Sequence, residues 1–102
     1  MLVMDLATVR PAHSSETASR VIDGEATLVL PRENTVHILN PVGTRIWELA
    51  DGRRTLADIA DSLCEEFEVD RRQAEEDLQA FVQELAGKGM LELRGGPIPQ
   101  DA

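Results

Sequence analysis

The 102-residue sequence lacks several features on which common classes of protein depend. Its single cysteine, Cys64, excludes an internal disulfide and a cysteine-rich zinc cluster, and it fits a reducing compartment. No apolar run approaches the ~20 residues of a membrane span. The first residues also lack the basic lead and apolar core of a signal peptide. The sequence therefore predicts a soluble, cytoplasmic protein without a membrane partner.

Basic residues are scarce as well. Ten Lys and Arg stand against nineteen Asp and Glu, which gives a formal net charge of −9. Residues 1–54 hold seven acids and six bases, a net of −1, whereas residues 55–102 hold twelve acids and four bases, a net of −8. An acidic surface repels phosphate backbones, so the composition disfavours nucleic acid as a partner and favours a binding module.

Side chains that carry chemistry are few and dispersed. His13 and His37 have no partner at metal-ligand spacing, and Cys64 lies on the apolar stripe of a predicted helix. The acidic run at 75–77 occupies consecutive helical positions, which point in different directions and do not converge. The sequence therefore predicts no catalytic residue, no metal site and no cofactor.

Three short strands are predicted first, at residues 20–22, 26–30 and 35–39. Asp23-Gly24 is a dipeptide typical of tight hairpin turns, and residues 31–34 form a short polar link. Consecutive strands with short links pair with their neighbours, so we expect a three-stranded antiparallel meander.

Three helices with recognisable ends follow the strands. Asn40 and Pro41 suit the N-cap and first position of one helix, and Asp70 can cap the third. Thr55 followed by Asp58 resembles a capping box before the second helix. We therefore predict an α+β, winged-helix-like domain, with a three-stranded antiparallel sheet followed by three helices.

The chain ends contain little periodic pattern. Residues 1–18 mix proline, serine and threonine and are predicted to form a flexible N-terminal arm, while Gly95-Gly96-Pro97 marks residues 95–102 as a C-terminal tail. The folded domain is expected over residues 19–94. The third helix should end at Gly87 or Gly89, with a brief extended segment at 90–93. The sequence leaves open whether the chain is a monomer or a dimer.

The helix count leaves a second interpretation open, a winged-helix regulatory protein that binds DNA or another protein. Arg53 and Arg54 precede the second helix and could contact phosphates. The third helix, however, carries acids at 75–77 and at Glu84, which a DNA groove would repel. An enzyme is the least favoured interpretation.

An ordered set of motifs runs through residues 19–93. It consists of IDGEA at 22–26, LNPVGTRIWEL at 39–49, DG at 51–52, TLADI at 55–59 and GML at 89–91. The set resembles the PqqD-like family of small peptide chaperones, also called precursor-peptide recognition elements. The resemblance implies a winged-helix-like fold without catalytic activity. It also implies binding of the leader of a ribosomally made precursor peptide, which is then presented to a radical S-adenosylmethionine enzyme or a leader peptidase.

The third strand is the predicted binding edge. Residues 35–44 contain no acid, lysine or arginine, and an edge strand without charges is a liability unless something covers it. An extended peptide could add to this edge as a further strand. The resemblance places that peptide between the third strand and the third helix. The predicted contact residues are Thr35, Val36, His37, Ile38 and Leu39 on the strand and Glu75, Leu78, Gln79 and Val82 on the helix. Core packing explains Leu78 and Val82 equally well, and the acidic helix is expected to select a basic residue of the leader.

Overall fold

The computed structural model describes residues 5–95. The strands are β1 (Arg10–His13), β2 (Ala18–Ile22), β3 (Glu25–Leu30), β4 (Thr35–Ile38) and β5 (Leu91–Arg94). The helices are α1 (Pro41–Leu49), α2 (Leu56–Glu66) and α3 (Arg71–Gly87), and a short 3-10 turn (Pro31–Glu33) joins β3 to β4. The predicted α+β class is confirmed, and a second, two-stranded sheet that was not predicted is present in addition.

The central sheet is the predicted meander, with strand order β2-β3-β4 and antiparallel pairing throughout. Asp23 and Gly24 link β2 to β3 and both have positive φ angles, 53° and 81°. Two consecutive residues with positive φ match the right-handed twist of a hairpin, which explains why this dipeptide is suited to the turn.

Each helix begins at the residue that the sequence indicates. Asn40 accepts a hydrogen bond from the backbone N–H three residues on, at 2.7 Å, and Asp70 does the same at 2.8 Å. Thr55 and Asp58 form a reciprocal capping box, with hydrogen bonds of 3.1 and 3.0 Å. These bonds satisfy N–H groups that have no partner within the helix, so the three boundaries are set locally.

The core lies between the inner face of the central sheet and the apolar stripes of the helices. Its largest fully buried side chains include Leu28 of β3, Trp47 of α1, Leu56 of α2 and Leu78 of α3. Burying an aliphatic side chain of this size stabilises the fold by roughly 1.5–3 kcal/mol. The helices are therefore fixed to one face of the sheet, and no element within residues 5–95 covers the other face.

Thr44 ties α1 to the sheet where β4 ends. Its buried hydroxyl accepts a hydrogen bond from the Ala26 N–H at 2.9 Å and donates one to the Leu39 carbonyl at 3.3 Å. Both partners are backbone groups at one end of the sheet. This arrangement fixes the angle at which the chain leaves β4 and enters α1.

β1 and β5 pair antiparallel, with Arg10 opposite Arg94, and form the two-stranded sheet. β1 lies within residues 1–18, which were expected to form a flexible arm. That expectation is wrong for residues 9–13. Val9 and Ala12 are buried, and the backbone N–H of Leu56 donates to the Val9 carbonyl at 2.9 Å. The residues that pair with β1 lie some forty to eighty positions later in the sequence. No local sequence pattern therefore predicts this strand. The remaining chain ends, 1–4 and 96–102, lie outside the described residues.

Candidate peptide-binding site

β4 is an edge strand whose second side is open within residues 5–95. It pairs with β3 alone, and the Leu39 N–H just after it donates to the Ala26 carbonyl at 2.8 Å. Hydrogen-bonded and non-hydrogen-bonded pairs alternate along an antiparallel ladder, so His37 also directs its backbone groups toward β3. The N–H and C=O groups of Val36 and Ile38 consequently point to the open edge.

The side chains of β4 alternate between the two faces of the sheet. Thr35 and His37 are half-buried on the face that carries the helices, and Leu39 is buried in the core. Val36 and Ile38 are 61% and 69% exposed on the opposite face. The five predicted strand residues therefore present an open backbone edge, three side chains on the helix-facing side, of which Leu39 lies in the core, and two on the opposite side.

Two depressions lie along α3, one between α3 and α1 and the other between the C-terminal end of α3 and the start of β4. One depression, of about 370 Å³, is lined by Asn40, Val42, Gly43 and Ile46 from α1 and its cap, and by Asp77, Ala80, Phe81 and Glu84 from α3. The other, of about 460 Å³, is lined by Leu30, Glu33, Thr35, Gly87, Lys88 and Gly89. We use the term groove for both depressions together with the space beside His37 that lies between them.

A hydrogen-bonded chain of side chains crosses the groove near its middle. The Lys88 ammonium donates to Nε2 of His37 at 2.8 Å and to the Glu84 carboxylate at 3.0 Å. An ammonium group has donors only, so Nε2 of His37 acts as the acceptor and the ring proton resides on Nδ1. The contact links the centre of β4 to Lys88, the C-cap residue of α3.

The depression between α1 and α3 depends on a glycine. A Cβ atom at Gly43 would lie 3.1 Å from Phe81 Cε1 and 3.2 Å from Oδ1 of Asn40, closer than most side chains tolerate. Phe81 is half-buried and forms an apolar wall, while the exposed Asp77 and Glu84 place carboxylates at the rim. The depression therefore suits a side chain with an apolar stem and a cationic or hydrogen-bond-donating tip.

The four residues predicted on α3 do not line this groove. Leu78 and Val82 are fully buried in the core, which bears out their core interpretation. Glu75 accepts a hydrogen bond from Arg71 at 2.7 Å, and Arg71 also pairs with Asp61 of α2, so this flank of α3 faces α2. Gln79 follows Glu75 by one turn and lies on that same flank.

The α3 residues that line the depression nearest α1 are Asp77, Ala80, Phe81 and Glu84, and Gly87 at the end of α3 lines the other depression. Sequence reasoning missed them as a group because it selected the helix face at 75, 78, 79 and 82, which includes part of the apolar stripe of α3. The stripe identifies the buried face of a helix, but which flank faces β4 depends on the packing of all three helices. A residue list based on periodicity alone therefore selects the core.

The described residues carry no sign of a metal centre or a membrane span. No group of three or more His, Cys, Asp or Glu side chains within residues 5–95 could hold a metal ion. Among the helices of that same stretch, none is long and apolar enough to cross a bilayer. The features left at this site are an open strand edge, a groove and a carboxylate rim.

Comparisons with known proteins agree with this architecture. The family described as "Coenzyme PQQ synthesis protein D (PqqD)" matches residues 25–91. The chain is similar to the solved structure "TbiB1 in Complex with the TbiA(beta) Leader Peptide", with a TM-score of 0.73 and 37% identity over 79% of this chain and 94% of that one. It is also similar to "Lasso peptide synthetase B1 complexed with the leader peptide", with a TM-score of 0.73 and 28% identity over 81% of this chain and 98% of that one. A search of curated proteins finds no match.

Proposed function

The chain belongs to the PqqD family, whose members are non-catalytic peptide-binding domains, and we propose that it binds the leader of a ribosomally made precursor peptide as an added strand on β4. The bound peptide is then presented to a modifying enzyme, either a radical S-adenosylmethionine enzyme or a leader peptidase. The proposed place of action is the cytoplasm, where ribosomes make the precursor.

The observation that carries this proposal is the open edge of β4 beside the groove. Strand addition satisfies the outward N–H and C=O groups of Val36 and Ile38, and each such hydrogen bond contributes about 0.5–1.5 kcal/mol. Alternate side chains of the added strand, roughly 7 Å apart, point into the groove. The backbone thus supplies affinity, and the two depressions supply specificity.

The two similar solved structures support the class of ligand. TbiB1 and lasso peptide synthetase B1 are both described in complex with a leader peptide, and this chain covers more than nine-tenths of each. The groove residues proposed to contact the leader are Thr35 and His37 on β4, and Asp77, Ala80, Phe81 and Glu84 on α3. This α3 set replaces Glu75, Leu78, Gln79 and Val82, which are buried or face α2.

Replacing Val36 with proline tests strand addition. The change removes an N–H that points outward, so the ladder between β3 and β4 keeps its hydrogen bonds. The bound peptide loses one hydrogen bond to β4, and the proline ring restricts the φ angle of the strand at this position. We expect Val36→Pro to weaken binding of the leader encoded with this chain at least tenfold, measured by fluorescence anisotropy.

Val21→Pro is the matched control. By the same alternation, the N–H of Val21 points outward from β2, which forms the opposite edge of the sheet from β4. The Val21 side chain, like that of Val36, is exposed. We expect this variant to bind the leader like the wild type. A folded Val36→Pro variant with unchanged affinity would contradict strand addition.

A modified peptide tests the same point without changing the protein. Leaders N-methylated at successive single positions should lose affinity at every second residue of the docked segment, because only those N–H groups face β4. Affinity that is insensitive to all of these methyl groups would contradict the proposed mode of binding.

A further inference from the structure

The centre of the groove carries hydrogen-bond donors at the surface. The Nε2 atom of His37 accepts from the Lys88 ammonium at 2.8 Å, so the neutral ring carries its proton on Nδ1. Within residues 5–95, that Nδ1–H donates to no side chain or backbone carbonyl. The ammonium has three protons, and two of them are used by His37 and by the Glu84 carboxylate, at 3.0 Å. One ring N–H and one ammonium N–H therefore remain for a bound molecule.

A leader added to β4 brings one of its side chains next to these donors. His37 is half-buried on the helix-facing side of β4, and side chains that share a face of adjacent strands lie about 5 Å apart. The leader residue opposite His37 therefore points its side chain into the groove beside the imidazole. Docking replaces water around the two N–H groups by this side chain, and a donor left without an acceptor weakens binding. The central side chain of the leader should therefore supply an acceptor.

The charges around the two donors favour a neutral acceptor. Glu84 pairs with Lys88, and Glu33 lines the same depression as Lys88. The two carboxylates outnumber the single ammonium, and the His37 ring is neutral in this contact. A leader carboxylate would compete with Glu84 and be repelled by Glu33, whereas a leader cation would be repelled by Lys88. A side-chain amide or hydroxyl meets neither repulsion.

The centre of the groove differs in this respect from the depression nearest α1. That depression has the apolar wall of Phe81 and the carboxylate of Asp77. Inward side chains of an added strand repeat at roughly 7 Å, so successive ones meet different chemistry. The groove can thus distinguish the inward positions of one leader from each other.

We propose that His37 and Lys88 are specificity-determining residues, which select a neutral hydrogen-bond acceptor at the leader position opposite His37. This inference rests on the proposed function. Asparagine, glutamine, serine and threonine carry acceptors of this class. An apolar side chain of the same shape is rejected, because it leaves the two donors unpaired in the contact.

A panel of leader peptides tests the selection without changing the protein. Each docked position of the leader encoded with this chain is replaced in turn by asparagine, leucine or aspartate, three side chains of similar size. At one position we expect asparagine to bind about tenfold more tightly than leucine, and aspartate to bind more weakly than asparagine. At the two adjacent positions the side chains point to the other face, so asparagine and leucine should agree within about threefold. Fluorescence anisotropy measures each Kd.

The double variant His37→Leu/Lys88→Met tests the two residues themselves. It removes every side-chain donor at the centre of the groove and leaves the backbone edge of β4 in place. We expect the preference for asparagine over leucine to disappear at the one position and the preferences elsewhere to stay. Lys88→Met alone changes an exposed residue just after α3 and leaves β4 intact, so it should reduce the preference without affecting the fold.

Arg72→Met is the matched control. Arg72 also lies on α3, where it pairs with Glu76 at 3.2 Å, and its side chain is 89% exposed. This variant removes one cation from the same helix without changing a residue of the groove. We expect it to keep the full preference for asparagine.

The results separate this inference from the proposed function. A wild-type chain that binds no leader overturns both. A wild-type chain that binds the leader but prefers asparagine at no position overturns the inference alone, as does a preference that the Lys88→Met and double variants retain in full. A position at which aspartate binds most tightly assigns the centre of the groove to a carboxylate and overturns the neutral acceptor.

Discussion

His13 joins the two-stranded terminal sheet to α1 through its ring. The ring stacks on the Trp47 indole with centroids 3.7 Å apart and planes 6° from parallel. Its Nε2 lies 2.6 Å from the Trp47 carbonyl oxygen, so Nε2–H donates to that acceptor. The absence of a metal-ligand partner in the sequence left His13 without a predicted role, and the structure gives it a packing role.

Removing this ring should destabilise the fold. We expect His13→Ala to lower the free energy of unfolding by about 1–2 kcal/mol, because the variant loses an aromatic contact and a hydrogen bond. His13→Phe keeps the contact and loses only the hydrogen bond, so it should recover about half of that loss. Urea denaturation followed by Trp47 fluorescence measures both. An alanine variant as stable as the wild type would show that the contact contributes nothing.

The turn between α1 and α2 connects the helices to β1. Asp51 accepts hydrogen bonds from the backbone N–H groups of Arg54 and Arg53, at 3.0 and 2.9 Å, and from the Arg54 guanidinium at 2.5 Å. Gly52 has a φ of 81° and its N–H donates to the Pro11 carbonyl at 2.8 Å. The backbone donors of Arg54 and Arg53, with the nearby Arg54 charge, lower the pKa of Asp51 below its ordinary value of 3.8.

The lowered pKa of Asp51 predicts how stability depends on pH. The ionised carboxylate binds better in the folded state, so its contribution is present above pH 3.8 and is lost as the pH falls through the lowered pKa. The difference in free energy of unfolding between wild type and Asp51→Asn should be largest near neutral pH and shrink as the pH falls below 3.8. Denaturation curves at a series of pH values measure it, and a difference that is constant with pH would contradict the assignment.

The elements that the sequence predicts well are those specified by local contacts. The three helices begin at caps whose donor and acceptor lie three residues apart, and the β2–β3 hairpin turns at Asp23-Gly24. β1 pairs with a strand about eighty residues later, and Pro11 within it weakens any local strand signal. The extended segment predicted at 90–93 is present as β5 (Leu91–Arg94), but no local pattern predicted β1 or its pairing with β5.

The same distinction applies to the candidate site. The edge strand could be predicted, because the lack of charge from residue 35 to 44 is a property of one segment. The α3 wall could not, because the flank that carries Asp77 and Phe81 becomes a wall only after α1 and α3 pack together. Periodicity selected Leu78 and Val82, and these fill the core behind the groove instead.

Across the whole molecule, negative charge is concentrated on the helical side. Residues 55–102 carry a net −8 of the total −9, and Asp77 and Glu84 bring part of that charge to the rim of the groove. The Lys88 ammonium lies 3.0 Å from the Glu84 carboxylate and offsets its charge. Among the side-chain hydrogen bonds within residues 5–95, the Asp77 carboxylate accepts only one, from the neutral Gln73 amide at 2.8 Å. The end of the groove nearest α1 therefore has the greater attraction for a cation.

This distribution predicts that leader binding is partly electrostatic. A leader with a Lys or Arg near the docked segment should lose affinity about three- to tenfold between low and high salt, because exposed charges are screened beyond about 10 Å at 0.1 M. Asp77→Asn should weaken binding at low salt and flatten the salt dependence. The measurement is a titration of the leader at a series of NaCl concentrations.

Glu75→Gln provides the matched control for that titration. It removes the same charge from the same helix, but from the flank that faces α2, where Glu75 pairs with Arg71. A general effect of net charge would make both variants behave alike, whereas a local effect of the groove rim should appear in Asp77→Asn alone. Salt dependence that is equal in both variants would contradict a role of the rim in selecting the leader.

A wild-type affinity that does not change with salt would contradict any electrostatic contribution. Recognition would then depend on the β4 edge and the apolar wall at Phe81.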